Sequence, residues 1–238
     1  MTDFLAATRV FYDTIAEDYA ARFHGQLAAA PLDRAVLTAF AELVAAGAAR
    51  GAGRGLADLG CGPGRVTGFL AGLGAEAFGV DLSASMLAVA RREHPELRFE
   101  QGSMLELDLP DGGLAGVLSW YSSIHTPAER LPDLFAEFHR VLAPGGHLLI
   151  GFQVGDEPRR YEEAFGHSVT LDFQRRRPEQ MARLLENAGF ALRSHTVRSP
   201  DEPAGEQVPQ AHLIARKPED PASAGAGASA EASAETSA

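Results

Sequence analysis

The sequence predicts an α/β fold, a doubly wound and mainly parallel sheet of seven strands with helices on both faces. Two observations carry that expectation. Strand-like and helix-like segments alternate through the body of the chain, as they do when crossover helices cover a parallel sheet. A glycine-rich stretch, "DLGCGPG" at 58–64, stands where the first strand gives way to its helix, and such sheets bind ligands beyond the carboxyl ends of their strands. The 238 residues suffice for one such domain with a full core and are short for two.

Two helices come first, at about 4–23 and 32–47. The second opens at Pro31–Leu32–Asp33 and carries Val36, Leu37, Phe40, Leu43 and Val44 at helical spacing. "GLADLG" is the first strand, and the helix over 64–73 follows it with Val66, Phe69, Leu70 and Leu73 on one face. "EAFGVD" is the second strand. "SASMLAVARREH" is a helix with Ser83 as N-cap and Pro95 just beyond its end. "LRFEQG" and the apolar "LAGVLSWY" are the third and fourth strands. The helix over 128–141 aligns Leu131, Leu134, Phe135, Phe138, Val141 and Leu142, and "APGG" turns the chain into "HLLIGF". Residues 155–177 break the rhythm, being polar and irregular. Pro178 then opens a helix that stops at Gly189, and "FALRSHTVR" and "AHLIARK" are the last two strands. The domain is expected over 1–217, with the N-terminal helices in 1–50 and a substrate insert at 155–177. The Ala/Ser/Gly-rich stretch 218–238 has no large apolar residue and reads as a disordered tail.

Composition excludes several classes of function. The chain is 45% apolar and 22% charged, with a net charge of −11 that would repel a phosphate backbone, so no nucleic-acid partner is expected. No apolar run is long enough to cross a bilayer and no signal peptide is evident, so the expected setting is cytoplasmic, with no membrane partner. The single cysteine, Cys61, excludes an internal disulfide and a multi-cysteine metal site. The eight histidines show no metal-binding spacing, and no metal is expected.

The glycine loop decides which nucleotide is bound. A dinucleotide loop needs G-x-G-x-x-G, whose third glycine permits close helix–strand packing. Here Gly60, Gly62 and Gly64 are spaced G-x-G-x-G. Pro63 removes an N–H that a pyrophosphate would need, and Asp58 adds a negative charge beside it. A carboxylate there suits a cation such as an amino-acid ammonium. Asp81 ends the second strand, where a carboxylate can accept hydrogen bonds from two ribose hydroxyls. A ribose, an ammonium and no phosphate together describe S-adenosylmethionine.

With "LADLGCGPGRVT", "VDLSASML", "GVLSWYSSIH" and "EFHRVLAPGGHLLI" on the page, the chain resembles the class I S-adenosylmethionine-dependent methyltransferases of the small-molecule type. The motifs cover roughly 55–152, and the order of elements extends the likeness to about 216. The resemblance implies a Rossmann-like sheet and S-adenosyl-L-methionine as cofactor. "FYDTIAEDYA" resembles the N-terminal segment of small-molecule members, which makes Tyr12 and Tyr19 candidate cofactor contacts. Asp58, Gly60, Cys61, Gly62, Gly64, Asp81, Leu82, Met86 and Trp120 are carried over in the same way. One departure stands out. Many members hold the adenine amino group with an acid after the third strand, whereas here "QGSMLELD" places Ser103 there, with Met104 against the ring and Asp108 further off.

Methyl transfer from a sulfonium mainly needs alignment and exclusion of water, with a base only for a poorly acidic acceptor. His125, in the loop after the fourth strand, is the candidate catalytic residue. The insert and the N-terminal helices suit a small enclosed acceptor transferred on O or N. If any of Arg159, Arg160, Arg175, Arg176 and Arg177 points inward, a carboxylate or phosphonate-like group is favoured. A protein acceptor and a non-catalytic binding protein are the alternatives, and a nicotinamide-dependent oxidoreductase is disfavoured by the loop.

Overall fold

Every residue of the first strand, β1 (Leu56–Leu59), is buried, so it has to be covered on both faces and paired on both edges. The computed structural model of the chain, which describes residues 4–219, places β1 inside a seven-stranded sheet. In chain order the other strands are β2 (Ala77–Asp81), β3 (Phe99–Gln101), β4 (Leu114–Trp120), β5 (Leu142–Gln153), the small pair β6 (Arg159–Tyr161) and β7 (Leu171–Phe173), then β8 (Ala191–Arg198) and β9 (Gln210–Arg216). The helices are α1 (Phe4–Phe23), α2 (Gln26–Ala29), α3 (Pro31–Ala49), α4 (Arg65–Gly72), α5 (Ala84–Glu93), α6 (Leu131–Val141) and α7 (Pro178–Asn187). The tail read from composition lies, from residue 220 onward, outside the described residues.

The sheet order is β3-β2-β1-β4-β5-β9-β8. The first five of these are parallel, and β9 runs antiparallel to both β5 and β8. After β3 the chain returns to the far side of β1, so the order reverses between β1 and β4. That reversal opens a crevice at the carboxyl ends of the two strands.

Alternate residues of each central strand supply the two cores. Val117, Leu148, Ile150 and Leu213 face α6 and α7, meeting Leu134, Phe135, Phe138, Met181 and Leu185. Their neighbours Leu118, Leu149 and Ile214 face the other way, against Leu37, Phe40 and Val44 of α3 and Leu70 of α4. The near-continuous apolar runs of β4 and β5 follow from this two-sided burial.

Three details differ from the sequence reading. The "APGG" turn is an excursion within one long strand: Leu142 pairs with Leu114, and after a register shift His147 pairs with Gly116. A short helix, α2, stands between the two expected N-terminal helices. The irregular 155–177 segment contains the antiparallel ribbon β6–β7. Its strands have three residues each, too few for an alternation to rise above the charged background. Phe11 and Ile15 of α1 pack on Val169 and Leu171 of the ribbon side, so helix and ribbon close over the sheet together.

Candidate functional site

The chain passes from β1 into α4 through three glycines in the left-handed region, Gly60, Gly62 and Gly64, with φ of 75°, 54° and 79°. Other residues rarely adopt that conformation. At Gly60 the backbone also passes close to the β4 loop. A Cβ there would collide with Ser122 Cβ and stand 3.0 Å from its Oγ. Gly64 serves packing: a Cβ on it would lie 2.8 Å from Phe99 Cζ of β3. The helix–strand contact expected of a longer glycine motif is therefore made here at the shorter spacing.

Asp81, at the end of β2, holds this loop in place. Its Oδ2 accepts from Gly62 N at 2.8 Å and its Oδ1 from Ser83 N at 2.8 Å. Burial raises its pKa above the usual carboxylate range, and the two amide donors oppose that rise. Ser83 caps α5, its Oγ accepting from Met86 N at 3.0 Å, and donates to Asp13 of α1 at 2.6 Å. Asp13 also accepts from Ser85 N at 3.1 Å, and these bonds dock α1 beside the β2 end. No sequence signal marked Asp13, one acid among several on that helix.

Asp58 is 1% exposed, and its Oδ2 accepts from Thr67 Oγ1 at 2.7 Å. Burial lifts its pKa to about 7; the Thr67 hydrogen bond works against this and the charge of Asp81 adds to it. Cys61 is buried beside it against Leu87 and Phe99, and burial pushes its thiol upward, away from the reactive thiolate.

These groups open on a cavity of about 340 Å³ that runs from the glycine loop to the ribbon. Tyr12, Tyr19, Asp58, Gly60, Cys61 and Gly62 line it, as do Asp81, Leu82, Met86, Met104, Trp120 and His125. Two of the expected site residues stand elsewhere. Gly64 is turned to Phe99, and Ser103 belongs to a local turn in which its Oγ accepts from Leu105 N at 3.2 Å. Asp108 is exposed. Trp120 stacks on His212, with ring centroids 4.8 Å apart and planes at 8°.

His125 lies where α1, the β4 loop and the ribbon meet. Its Nε2 is 2.8 Å from Tyr12 Oη, and its ring makes an edge contact with Phe173 at 4.7 Å. Burial lowers its pKa to about 4, with the Asp172 backbone opposing, so the ring is neutral at physiological pH. Its Nδ1 is buried without a partner in hydrogen-bond geometry. Tyr12 stays a neutral phenol, since burial and the neighbouring Tyr19 and Asp81 raise its pKa well above 10.0. No group of three or more histidine, cysteine or acidic side chains able to hold a metal occurs among the described residues, and no described helix is long and apolar enough to cross a membrane.

The family model described as "Methyltransferase domain" matches residues 56–146. A "probable S-adenosylmethionine-dependent methyltransferase" of Mycolicibacterium smegmatis is 30% identical over 146 residues, 60% of this chain and 54% of that protein. The chain spans about half the length of the curated relatives it matches. Among solved structures, the magnesium protoporphyrin IX methyltransferase of Synechocystis PCC 6803 with bound S-adenosylmethionine aligns at a TM-score of 0.65. It is 18% identical, over 91% of this chain and 98% of that one. The 1,6-didemethyltoxoflavin-N1-methyltransferase of Burkholderia thailandensis, solved with 1,6-didemethyltoxoflavin and S-adenosylhomocysteine, aligns at 0.63. It is 21% identical, over 91% of this chain and 90% of that one. The shared feature at these identities is the Rossmann-like fold.

Proposed function

We propose that this chain, which matches a methyltransferase-domain model over residues 56–146 and shares the Rossmann-like fold of a methyltransferase solved with S-adenosylmethionine, is a class I enzyme that transfers a methyl group from S-adenosylmethionine to a small-molecule acceptor. The observation that carries this reading is the single cavity with two unlike ends, a carboxylate-bearing glycine loop at one and an aromatic ribbon at the other.

The loop end fits the methyl donor by its chemistry. It presents two carboxylates and no phosphate cradle, because the Gly62 N–H is taken by Asp81 and Pro63 has none. Asp58 would face the ammonium. Asp81, each of whose oxygens has accepted one amide and retains a lone pair, would receive the ribose hydroxyls. Leu82 and Met104 would flank the adenine. When bound, S-adenosylmethionine supplies a methyl group already activated on sulfur.

The protein's own work is alignment and shielding. Tyr12 and Tyr19 on α1 cover the cavity and keep water out. His125, neutral and tied to Tyr12, would receive a hydrogen bond from the acceptor or orient it; with a pKa of about 4 it is a weak base. The 155–177 segment would set acceptor choice, because loops at this end of such sheets carry specificity. The likeness to a 1,6-didemethyltoxoflavin-N1-methyltransferase solved with bound 1,6-didemethyltoxoflavin supports a small acceptor. One buried cysteine and no apolar crossing helix among the described residues accord with a cytoplasmic setting.

Ligand-induced thermal shifts test the reading, since a ligand bound only by the native state stabilises it by mass action. S-adenosylmethionine and S-adenosylhomocysteine should each raise the melting temperature, and NADH should not. A larger shift with NADH would overturn the assignment. Label transfer from methyl-labelled donor, screened across small phenols, amines and acids, distinguishes an enzyme from a protein that only binds the cofactor.

A further inference from the structure

The ribbon register and the contacts just beyond it sort five arginines that look alike in sequence. Arg159 pairs with Phe173, Arg160 with Asp172, and Tyr161 with Leu171. Side chains two apart on a strand share a face, so Arg159 and Tyr161 fall on one side and Arg160 on the other. Arg160 reaches across the ribbon to Asp172 at 3.2 Å. Arg177 pairs with Asp156 on the surface, and Arg176 donates to Thr126 O at 2.7 Å. Arg159, Tyr161, Phe173 and Arg175 instead line the cavity.

Arg65 lines the cavity at the loop end; at the ribbon end, neither Arg159 nor Arg175 has a carboxylate partner among the described residues. Arg159 donates to the neutral Gln207 at 3.0 Å and lies over the Tyr161 ring at 4.6 Å. Arg175 has its stem against Gly155, where a Cβ would come within 2.9 Å of its Cδ, and its Nε is buried with no acceptor. A buried guanidinium N–H without a partner costs free energy that a bound acceptor group would recover. Asp33 and Glu206, which also line the cavity, are both bonded to Arg198, at 3.1 and 2.5 Å, so one guanidinium offsets one of their two charges and neither acid is bonded to Arg159 or Arg175. Asp58 and Asp81 belong to the loop end. Two guanidinium groups without a carboxylate partner thus face the ribbon end of the cavity in a chain whose net charge is −11.

We propose that the ribbon end of the cavity is an oxyanion subsite, in which Arg159 and Arg175 hold a carboxylate, phosphate or phosphonate group of the ligand. Guanidinium groups bind such oxyanions through paired N–H bonds, and Tyr161 and Phe173 would pack against the carbon skeleton. Calling that ligand the methyl acceptor rests on the function proposed above; the subsite itself does not.

The test is thermal melting of the full chain, with and without saturating S-adenosylhomocysteine, in the presence of phenylphosphonate, benzoate or benzyl alcohol. At least one anion should raise the melting temperature and the alcohol should not. A stronger response to phenylphosphonate assigns the subsite to phosph(on)ates, and a stronger response to benzoate assigns it to carboxylates. Arg159→Gln and Arg175→Gln should each raise the half-saturating anion concentration by about 10–100-fold, while Arg160→Gln, on the outer face, leaves it unchanged. If Arg175→Gln does not fold, Arg175→Lys keeps the charge without the fork and should still weaken binding. The proposal is overturned if benzyl alcohol stabilises as well as the anions, if neither anion shifts the protein, or if both glutamine variants bind as the parent does. A shift with anion but none with S-adenosylhomocysteine would sink the methyl-transfer reading and leave the subsite standing. The reverse pattern would remove only the subsite.

Discussion

At the loop end of the cavity, one short run from Asp58 to Pro63, with Asp81 locking it, contributes five lining residues. At the ribbon end the wall is assembled from α1, the loop after β4, the ribbon and the turn before β9, segments far apart in the chain. The first end is shaped by backbone: left-handed glycines, amides bonded to one carboxylate, and a strand-to-helix turn with no space for a side chain at Gly60. The second is shaped by side chains whose identity could change without altering the chain's path. A fixed cofactor and a variable acceptor would be served by this division, since the end shaped by backbone is the one that tolerates substitution least.

Substitutions can break or sharpen that contrast. The largest effect is expected at Gly60→Ala, where a left-handed conformation and overlap with Ser122 combine. Stability should fall by about 2–4 kcal/mol in chemical denaturation, and S-adenosylhomocysteine binding should disappear in calorimetry. Survival of tight binding would mean that the backbone does not define this end.

Asp81→Ala removes two amide acceptors and a ligand acceptor together. Calorimetry should show donor affinity weakened by about 1.5–3 kcal/mol, the range for hydrogen bonds to a charged group. An unchanged affinity would place the ribose elsewhere.

His125→Ala should separate the two ends. Turnover should drop by up to about 100-fold through misplacement of the acceptor, while donor affinity stays within about twofold. Tyr12→Phe, which removes only the Oη–Nε2 bond, should show a weaker form of the same split. If donor binding collapses in His125→Ala and turnover per bound donor does not, this loop belongs to the donor end.

Near neutral pH the smallest effect is that of protonation. The folded-state pKa of Asp58 is raised to about 7, so between its unfolded value near 4 and pH 7 the native state holds a proton that the unfolded chain has lost. Its contribution to stability therefore declines as pH rises through that window. Binding runs the other way. A cation beside Asp58 requires the ionised form, so donor affinity should fall by up to about tenfold per pH unit below 7 and level off above it. Titration calorimetry in two buffers should register proton release at pH 6, and Asp58→Asn should flatten the profile. A wild-type affinity that is flat from pH 5 to 8 would show that Asp58 does not face the ammonium.

The same contrast explains what could be read in the sequence. The sheet, the glycine loop and the two strand-end acids were legible because each depends on residues close together in the chain, under a strict backbone requirement. The pairing order agrees with the expected doubly wound sheet, since apolar runs such as "GVLSW" and "HLLIGF" can only be central. The ribbon was illegible because its three-residue strands are too short to show a period, and its register is fixed by α1 packing from above. Arg175, Arg176 and Arg177 are told apart only by their tertiary surroundings, the cavity, the Thr126 carbonyl and Asp156 in turn. Asp13 was missed for a similar reason, because its partners Ser83 and Ser85 are far away in sequence and nothing local sets it apart from Glu17 or Asp18.

The placement of β9 has a consequence for how the molecule is made. The outer edge of β5 is completed by a strand that begins only at Gln210, and β8 finds its sheet partner in that same strand. During synthesis, β5 leaves the ribosome with one ladder of backbone donors and acceptors open, and it waits through the ribbon, α7 and β8 before that ladder is filled. An apolar strand with an unpaired edge is the kind of segment that associates with other chains. The nascent protein is therefore expected to be most dependent on chaperones in the interval between the appearance of β5 and that of β9. Released chains truncated before Gln210 and after Lys217 should differ sharply in protease resistance.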